Sequence, residues 1–335
     1  MKAIATTGHK DANAAFELVE MADPVPGSGE LKVRIEAISV NPVDTKVRQG
    51  AEKGQVLGWD AVGVIEDLGK KVSTDFHVGD RVYYAGDISK PGCYAELQCI
   101  DARLAAKAPT SLEREEAAAL PLTSLTAWEG LFDVLGLNPT SNLMSHQGET
   151  LLVINGAGGV GSMVTQLASK LTGLKVITTA SQEISRQWSQ EMGADLVVDH
   201  HHLVDEMYVN GIEQVDYIFC CHDIADHWVN MQTLIRPFGH IVAIAETERD
   251  VDINEFQRLS VTFGWEFMFS RALNDYHPEH QGSILSRIAR MVDNGELMST
   301  LSEVMGPFDV EHLIAAHQRL EEGHAIGKLV LTTAD

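Results

Sequence analysis

The sequence predicts an α/β protein: a doubly wound parallel sheet joined to a β-rich, barrel-like region. Three observations predict it. The first third holds many short strand patterns separated by Gly and Pro, as in sheet-rich barrels. From Thr150 onward, strand and helix patterns alternate, which calls for parallel strands with helices on both faces. At the first of these alternations stands Gly156-Ala-Gly158-Gly159-Val160-Gly161, between an apolar run and a helical one.

The elements follow in order. Leu31 to Ile38 alternates apolar and polar residues, the period of a half-buried strand. Lys2–Thr6, Phe16–Glu20, Val62–Leu68, Arg81–Ala85 and Tyr94–Ile100 read as further strands. Turn signals punctuate them, among them Pro24, Pro26, Asn41-Pro42, Gly79-Asp80 and Pro91-Gly92. The character changes near Ser111, a cap for a helix over Glu113–Leu120, and Thr123–Leu135 continues as an apolar helix. Then come strand Thr150–Asn155, helix Val160–Leu171, strand Lys175–Ala180 and helix Ile184–Met192. Leu196–Asp199, Val215–Cys220, Ile241–Ala245 and Ser260–Phe267 are later strands, with helices between the first three. Gln281–Asn294 and Val310–Glu322 read as helices and Lys328–Thr333 as a last strand.

The glycines have a physical assignment in a dinucleotide-binding Rossmann unit. Gly156 makes the tight turn, Gly158 admits the pyrophosphate, and Gly161 lets helix and strand pack closely. The free N–H groups of the helix start, at Gly159, Val160 and Gly161, then favour phosphate. An NAD site places Asp or Glu at the end of the second strand. Here that strand ends Thr178-Thr179-Ala180-Ser181, followed by Ser185 and Arg186. Hydroxyls and a guanidinium suit a 2′-phosphate, so the sequence favours NADP over NAD, against the nearby Glu183.

Composition bounds the rest. At 335 residues the chain exceeds what one core fills, so two domains are expected. A net charge of −23 argues against nucleic acid and anionic membrane surfaces. The uncharged run from Thr150 to Ser169 is broken by glycines and polar residues, which excludes a membrane span there. The first twenty residues hold no apolar run, so no secretory signal is read, and a cytoplasmic location is expected. Four cysteines without a C-x-x-C give no zinc lobe.

Asn41-Pro-Val-Asp44, Leu57-Gly-Trp59-Asp60, Val78-Gly-Asp-Arg-Val82, Leu120-Pro-Leu-Thr-Ser-Leu-Thr126-Ala-Trp128, the glycine turn and Gly327-Lys328-Leu-Val-Leu331 come in that order. In these the chain resembles the medium-chain dehydrogenase/reductase superfamily. The nearest branch is the quinone-oxidoreductase-like one, which includes zinc-type alcohol dehydrogenase-like members. The resemblance implies a GroES-like catalytic domain from residues 1–122 and 272–335 and a Rossmann domain over 123–271. It implies that Asn41 and Thr126 face the nicotinamide, that His200 lies near the adenosine phosphate, and that Lys328 belongs with the cofactor-binding residues. It also implies association through the last Rossmann strand, whose apolar edge would be exposed in a monomer, giving a homodimer or homotetramer.

The departures from zinc relatives carry weight. Those relatives place Cys and His where Asn41 and Trp59 stand, and neither is a zinc ligand of any strength. Asp44 and Asp60 alone make a poor zinc site, and three consecutive histidines, His200 to His202, are expected to point apart. No metal is therefore expected. Asn41, Asp44, Trp59 and Trp128 are the catalytic candidates: an amide to hold an oxygen, a carboxylate paired with Lys46, and two aromatic walls. The function this implies is hydride transfer from NADPH to a small quinone or α,β-unsaturated carbonyl, whose conjugation tolerates the lack of a Lewis acid. The alternatives are an alcohol dehydrogenase with an unrecognised metal site and a non-catalytic NADPH-binding protein.

Overall fold

The computed structural model describes residues 1–140 and 145–333. The chain forms two compact units. Unit one comprises residues 1–125 and 269–335, and unit two comprises 126–268.

Unit one begins with β1 (Lys2–Thr6) and β2 (Phe16–Glu20), an antiparallel pair. Then come β3 (Glu30–Val40), β4 (Ala61–Leu68), β5 (Arg81–Tyr84), β6 (Leu97–Asp101) and β7 (Ala105–Lys107). The alternation in Leu31–Ile38 is visible as burial. Leu31, Val33, Ile35 and Ala37 are buried, with Lys32, Arg34 and Glu36 less so. Asn41-Pro42, a turn signal in the sequence, is instead a helix start. Asn41 precedes helix Pro42–Gly50, with proline in the first turn, where its missing N–H leaves no bond unmade.

Unit two holds β8 (Thr150–Ile154), β9 (Lys175–Thr179), β10 (Leu196–Val198), β11 (Val215–Cys220), β12 (Ile235–Ala243) and β13 (Thr262–Trp265). All pair in parallel, in the order β10-β9-β8-β11-β12-β13. That is the doubly wound order, with the chain reversing direction of winding at β8. Helices Gly159–Leu171, Glu183–Glu191, Leu203–Val209 and Ile224–Leu234 connect the strands. The last strand is shorter than the sequence predicts. A 3-10 turn over Ile253–Leu259 ends at Ser260 in the left-handed region (φ 52°), so pairing with β12 starts only at Thr262. β13 is a sheet edge, and Trp265 and Phe267 are about half exposed there.

The single apolar helix expected over Thr123–Leu135 is two structures. Pro121–Trp128 is α-helical, and Glu129–Val134 widens into a π-helical turn. Such turns are uncommon and cluster at functional sites. Unit one closes with helix Glu279–Asp293, β14 (Leu301–Pro307), helix Val310–Glu321 and β15 (Lys328–Thr332). β14, which the sequence did not reveal, completes a seven-stranded sheet. Six of its strands run β14-β15-β3-β4-β5-β7, and β6 pairs with β3. The C-terminal strand thus lies against the end of β3, with Leu329 opposite Val40. That register brings Lys328 beside Asn41.

Candidate functional site

In unit two the glycine turn is built by close approach. A Cβ on Gly156 would lie 2.4 Å from the Thr178 Cβ, and one on Gly161 would lie 2.2 Å from the Asn155 carbonyl oxygen. The left-handed residue of the turn is Asn155 (φ 65°), which corrects the role given to Gly156. Gly156 is required by its contact with β9. The Asn155 N–H donates to Thr179 Oγ1 at 2.8 Å, fixing the turn to the same strand. Helix Gly159–Leu171 begins with no side-chain cap. Its first-turn N–H groups, Gly159, Val160 and Gly161, therefore have no intrahelical acceptors, the arrangement that binds anions.

At the neighbouring strand ends the predicted residues do different jobs. Ser185 Oγ donates to the Gln182 carbonyl at 2.9 Å and accepts the Gln182 N–H, forming a helix cap. Arg186 is neither a free phosphate fork nor a solvated helix-face charge. Its Nη1 donates to the Ala180 carbonyl at 3.1 Å and Nη2 to Val197 at 2.9 Å, tying the ends of β9 and β10 together. Ser181 stands half-buried beside Ala180. His200 follows β10, and its ring lies beside that of His201 with centroids 4.1 Å apart. Burial lowers its pKa, helped by His201.

Thr126 and Trp128 are both buried. The Thr126 hydroxyl donates to Glu266, a residue the sequence reading missed. Glu266 directly follows β13, is 4% exposed, and its Oε1 has no partner. Burial raises its pKa far above the usual carboxylate range, and the charges of Glu129 and Asp133 add to the rise. The signal was available: Glu266 is the lone acid in the apolar run Phe263 to Phe269. Trp128 meets Phe132 edge-on at 4.7 Å.

In unit one Asn41, Asp44, Asp60 and Lys328 form one buried network. The Asn41 N–H donates to Asp44 Oδ2 at 2.9 Å. Its side-chain Nδ2 donates to the Ser39 carbonyl at 3.3 Å and to Asp60 Oδ2 at 3.2 Å. Its Oδ1 accepts from Lys328 Nζ. The Lys328 ammonium also reaches Asp60 Oδ2 at 3.1 Å and the Val40 carbonyl at 3.2 Å. Asp60 Oδ1 accepts the Leu122 N–H at 3.2 Å. Burial raises the Asp60 carboxyl, and the ammonium and these N–H donors oppose the rise.

This geometry revises three expectations. Asn41 is 1% exposed and its amide is fully engaged within the protein, so it positions rather than offering a free donor. Lys328, 4% exposed, has three acceptors for its three N–H bonds, which leaves none for a phosphate. Asp44 does not pair with Lys46, because Lys46 is exposed and Asp44 is fully buried. Asp44 instead accepts from Tyr94 at 2.9 Å, and Tyr94 in turn meets His317 Nε2 at 3.1 Å. Burial pushes Asp44 up to about 7 against those hydrogen bonds, and pushes His317 down to about 3, with Arg48 adding to the latter. Trp59 is buried, donates to the Asp87 carbonyl at 3.2 Å and meets Phe269 edge-on.

Two family models match. One, described as zinc-binding dehydrogenase, covers residues 192–331, and the other, an alcohol dehydrogenase GroES-like domain, covers 27–110. A zinc-type alcohol dehydrogenase-like protein of Staphylococcus epidermidis is 46% identical over 329 residues, 96% of each chain. The chain belongs to the medium-chain dehydrogenase/reductase superfamily. Its fold matches the crystal structure of a putative zinc-dependent alcohol dehydrogenase from Rhizobium etli, with TM-score 0.94 and 35% identity over 100% of this chain and 98% of that one. An NADPH-dependent alkenal/one oxidoreductase of Arabidopsis thaliana is 29% identical, covering 90% of this chain and 72% of that protein. The protein is thus an oxidoreductase of this superfamily.

The family descriptions imply zinc, and the residues around Asn41, Trp59 and Asp60 do not fit it. Asn41 and Asp60 are already joined by the Lys328 ammonium, and a divalent ion sharing those oxygens would meet that positive charge. Trp59 has no ligand atom. Cys93 is buried, and its pKa is raised, first by burial, so its thiol stays protonated and points to the Asp60 carbonyl at 3.7 Å.

Proposed function

We propose that the protein is an NADPH-dependent, metal-independent reductase of small quinones or α,β-unsaturated carbonyls. One observation carries the reading: the buried oxygens of Asn41 and Asp60 already hold an internal cation, Lys328. With no Lewis acid there, an acceptor that spreads developing charge by conjugation is the one this chain suits. When bound, NADPH supplies the hydride.

The chain's own residues do the remaining work. The first-turn N–H groups of Gly159, Val160 and Gly161 hold the pyrophosphate. Ser181 and the N–H groups of Arg186 not used by Ala180 and Val197 receive the 2′-phosphate, with His200 beside them. Glu266, kept protonated by burial, fixes Thr126, whose oxygen orients the carboxamide end of the cofactor. The Asn41–Asp60–Lys328 network keeps helix Pro42–Gly50 and the segment of Trp59 in place. Asp44, Trp59 and Trp128 are proposed to shape the substrate's surroundings. Residues 1–122 and 272–335 are assigned as the catalytic domain and 123–271 as the cofactor domain. The β13 edge is proposed to pair in a homodimer or homotetramer, and a cytoplasmic location suits the chain.

The experiment is steady-state oxidation of NADPH and NADH with a panel of small quinones and enones, before and after chelator treatment. Turnover with NADPH that survives chelation is expected. No turnover across the panel would leave a non-catalytic NADPH-binding protein. Turnover of alcohols that chelation abolishes would establish a metal-dependent alcohol dehydrogenase.

A further inference from the structure

Asp199, His200 and His201 are the one group of three or more His, Cys, Asp or Glu among the described residues whose donor atoms converge. The sequence predicts that His200, His201 and His202 cannot all converge on one ion, and His202 does stand outside the group. The local backbone brings the first two together. His200–His202 form a 3-10 turn, and Asp199 caps it by accepting the His201 N–H on Oδ1 at 2.9 Å. The cap folds the carboxylate back over the turn and sets the His200 and His201 rings side by side, 4.1 Å apart and tilted 42°. The His200 Nδ1 lies 4.0 Å from Asp199 Oδ1.

We propose that Asp199, His200 and His201 form a binding site for a first-row divalent transition metal of the Zn²⁺ or Co²⁺ kind. Each residue offers one donor atom within 4.8 Å of the other two. Three atoms so placed share a point no more than about 2.8 Å from each, and ligand bonds of about 2.0–2.2 Å need only modest closure. His201 is exposed and the other two are half-buried, so rotation about χ1 and χ2 can supply it. Two imidazoles and one carboxylate suit Zn²⁺, Co²⁺ or Ni²⁺. Mg²⁺ and Ca²⁺ favour all-oxygen sets. An outer partner steadies the turn, because the Asp199 N–H donates to Glu206 Oε2 at 2.8 Å. Three protein ligands leave positions open to water, so the ion exchanges readily, unlike one in a closed structural centre. The site lies in unit two, uses none of Asn41, Asp60 or Lys328, and shares His200 with the proposed 2′-phosphate site.

The test is a titration of the chelator-stripped full chain with Co²⁺, read by visible absorption, followed by displacement with Zn²⁺. One equivalent per chain is expected, with Kd below about 100 µM. His201→Ala and Asp199→Asn should each weaken binding more than tenfold, since even outer-shell partners are worth 10–100-fold. Asn keeps the cap on the turn, so loss in Asp199→Asn is loss of a ligand rather than of the fold. His324→Ala, in an exposed loop of unit one, should bind as the parent does. Absence of saturable binding, or a His201→Ala variant that binds cobalt like the parent, overturns the proposal. The readout needs neither cofactor nor substrate, so it stands or falls apart from the reading of the catalytic function.

Discussion

The glycine turn of unit two and the Asn41–Lys328 network of unit one are both polar, and they treat their donors in opposite ways. At Gly159, Val160 and Gly161 the helix start leaves backbone N–H groups without acceptors. At Lys328 and Asn41 every side-chain donor has an acceptor inside the protein. Unengaged donors are what an anionic ligand requires. A saturated network marks what keeps the surrounding segments fixed. Polar residues in a motif are therefore not equivalent: Asn41 and Lys328 read like ligand-binding residues in sequence, yet the structure has them bonded to each other.

The largest effect should come from breaking the saturated side. Lys328→Met leaves Asp60 buried, fully desolvated and without its cation. Removing one partner of a buried pair costs about 3–5 kcal/mol. Chemical denaturation should show a loss of that order, and Asp60→Asn in the same chain should restore part of it. If Lys328→Met denatures like the parent, the pair does not support the fold.

Next comes the unsaturated side. Gly161→Ala places a methyl group 2.2 Å from the Asn155 carbonyl oxygen, so the helix start must shift. Overpacking of this kind costs about 1–3 kcal/mol. Because the shifted helix start no longer aims its N–H groups as before, fluorescence titration should show NADPH affinity falling, while the Asn41–Lys328 network is untouched. Unchanged affinity would place the phosphates elsewhere.

Arg186 sharpens the comparison because it belongs to both classes. Two of its nitrogens serve the carbonyls of Ala180 and Val197, and its remaining N–H groups are proposed for the 2′-phosphate. Arg186→Ala should weaken NADPH by roughly 1.5–3 kcal/mol, the worth of a charged hydrogen bond, and NADH by less. Equal weakening of both would leave Arg186 only its structural task.

What was legible in the sequence follows the same division. The glycine turn is local: its residues, the strand before and the helix after are contiguous, and their spacing is the motif. The Asn41–Lys328 contact joins residues 287 apart, and only the register of β15 on β3 creates it. Asp60 was visible as a weak metal ligand, but its ammonium partner was not. Asn41-Pro42 carried a helix-start signature that competes with a turn signature, and tertiary packing selected the helix. Tyr94 and His317 gave no sign, since each sits in an ordinary strand or helix pattern and acquires its role by meeting the other.

The smallest expected effect concerns Asp44, the one member of the unit-one network with a free oxygen. Its Oδ2 accepts from Asn41 and Tyr94, while Oδ1 is buried without a partner. Burial therefore favours the neutral acid and lifts the folded pKa to about 7 from the usual 3.8. The sign follows from proton linkage. Between those two values the folded state holds a proton that the unfolded state has released, so stability falls as pH rises. The contribution is complete below pH 3.8 and is lost as pH passes through about 7. Asp44→Asn has no such proton, and its amide oxygen can still accept the Asn41 N–H. Urea midpoints of parent and Asp44→Asn, measured from pH 4 to 8, should start close and separate as pH rises, with the parent becoming the weaker. His317, held neutral by burial down to about pH 3, works the other way. It contributes stability above the ordinary histidine pKa of about 6.5 and loses it on acidification. It should tilt both curves alike, so it cancels in the difference between the two proteins. Parallel curves would mean that Asp44 is ionised in the folded protein and that its unpartnered oxygen has found a donor.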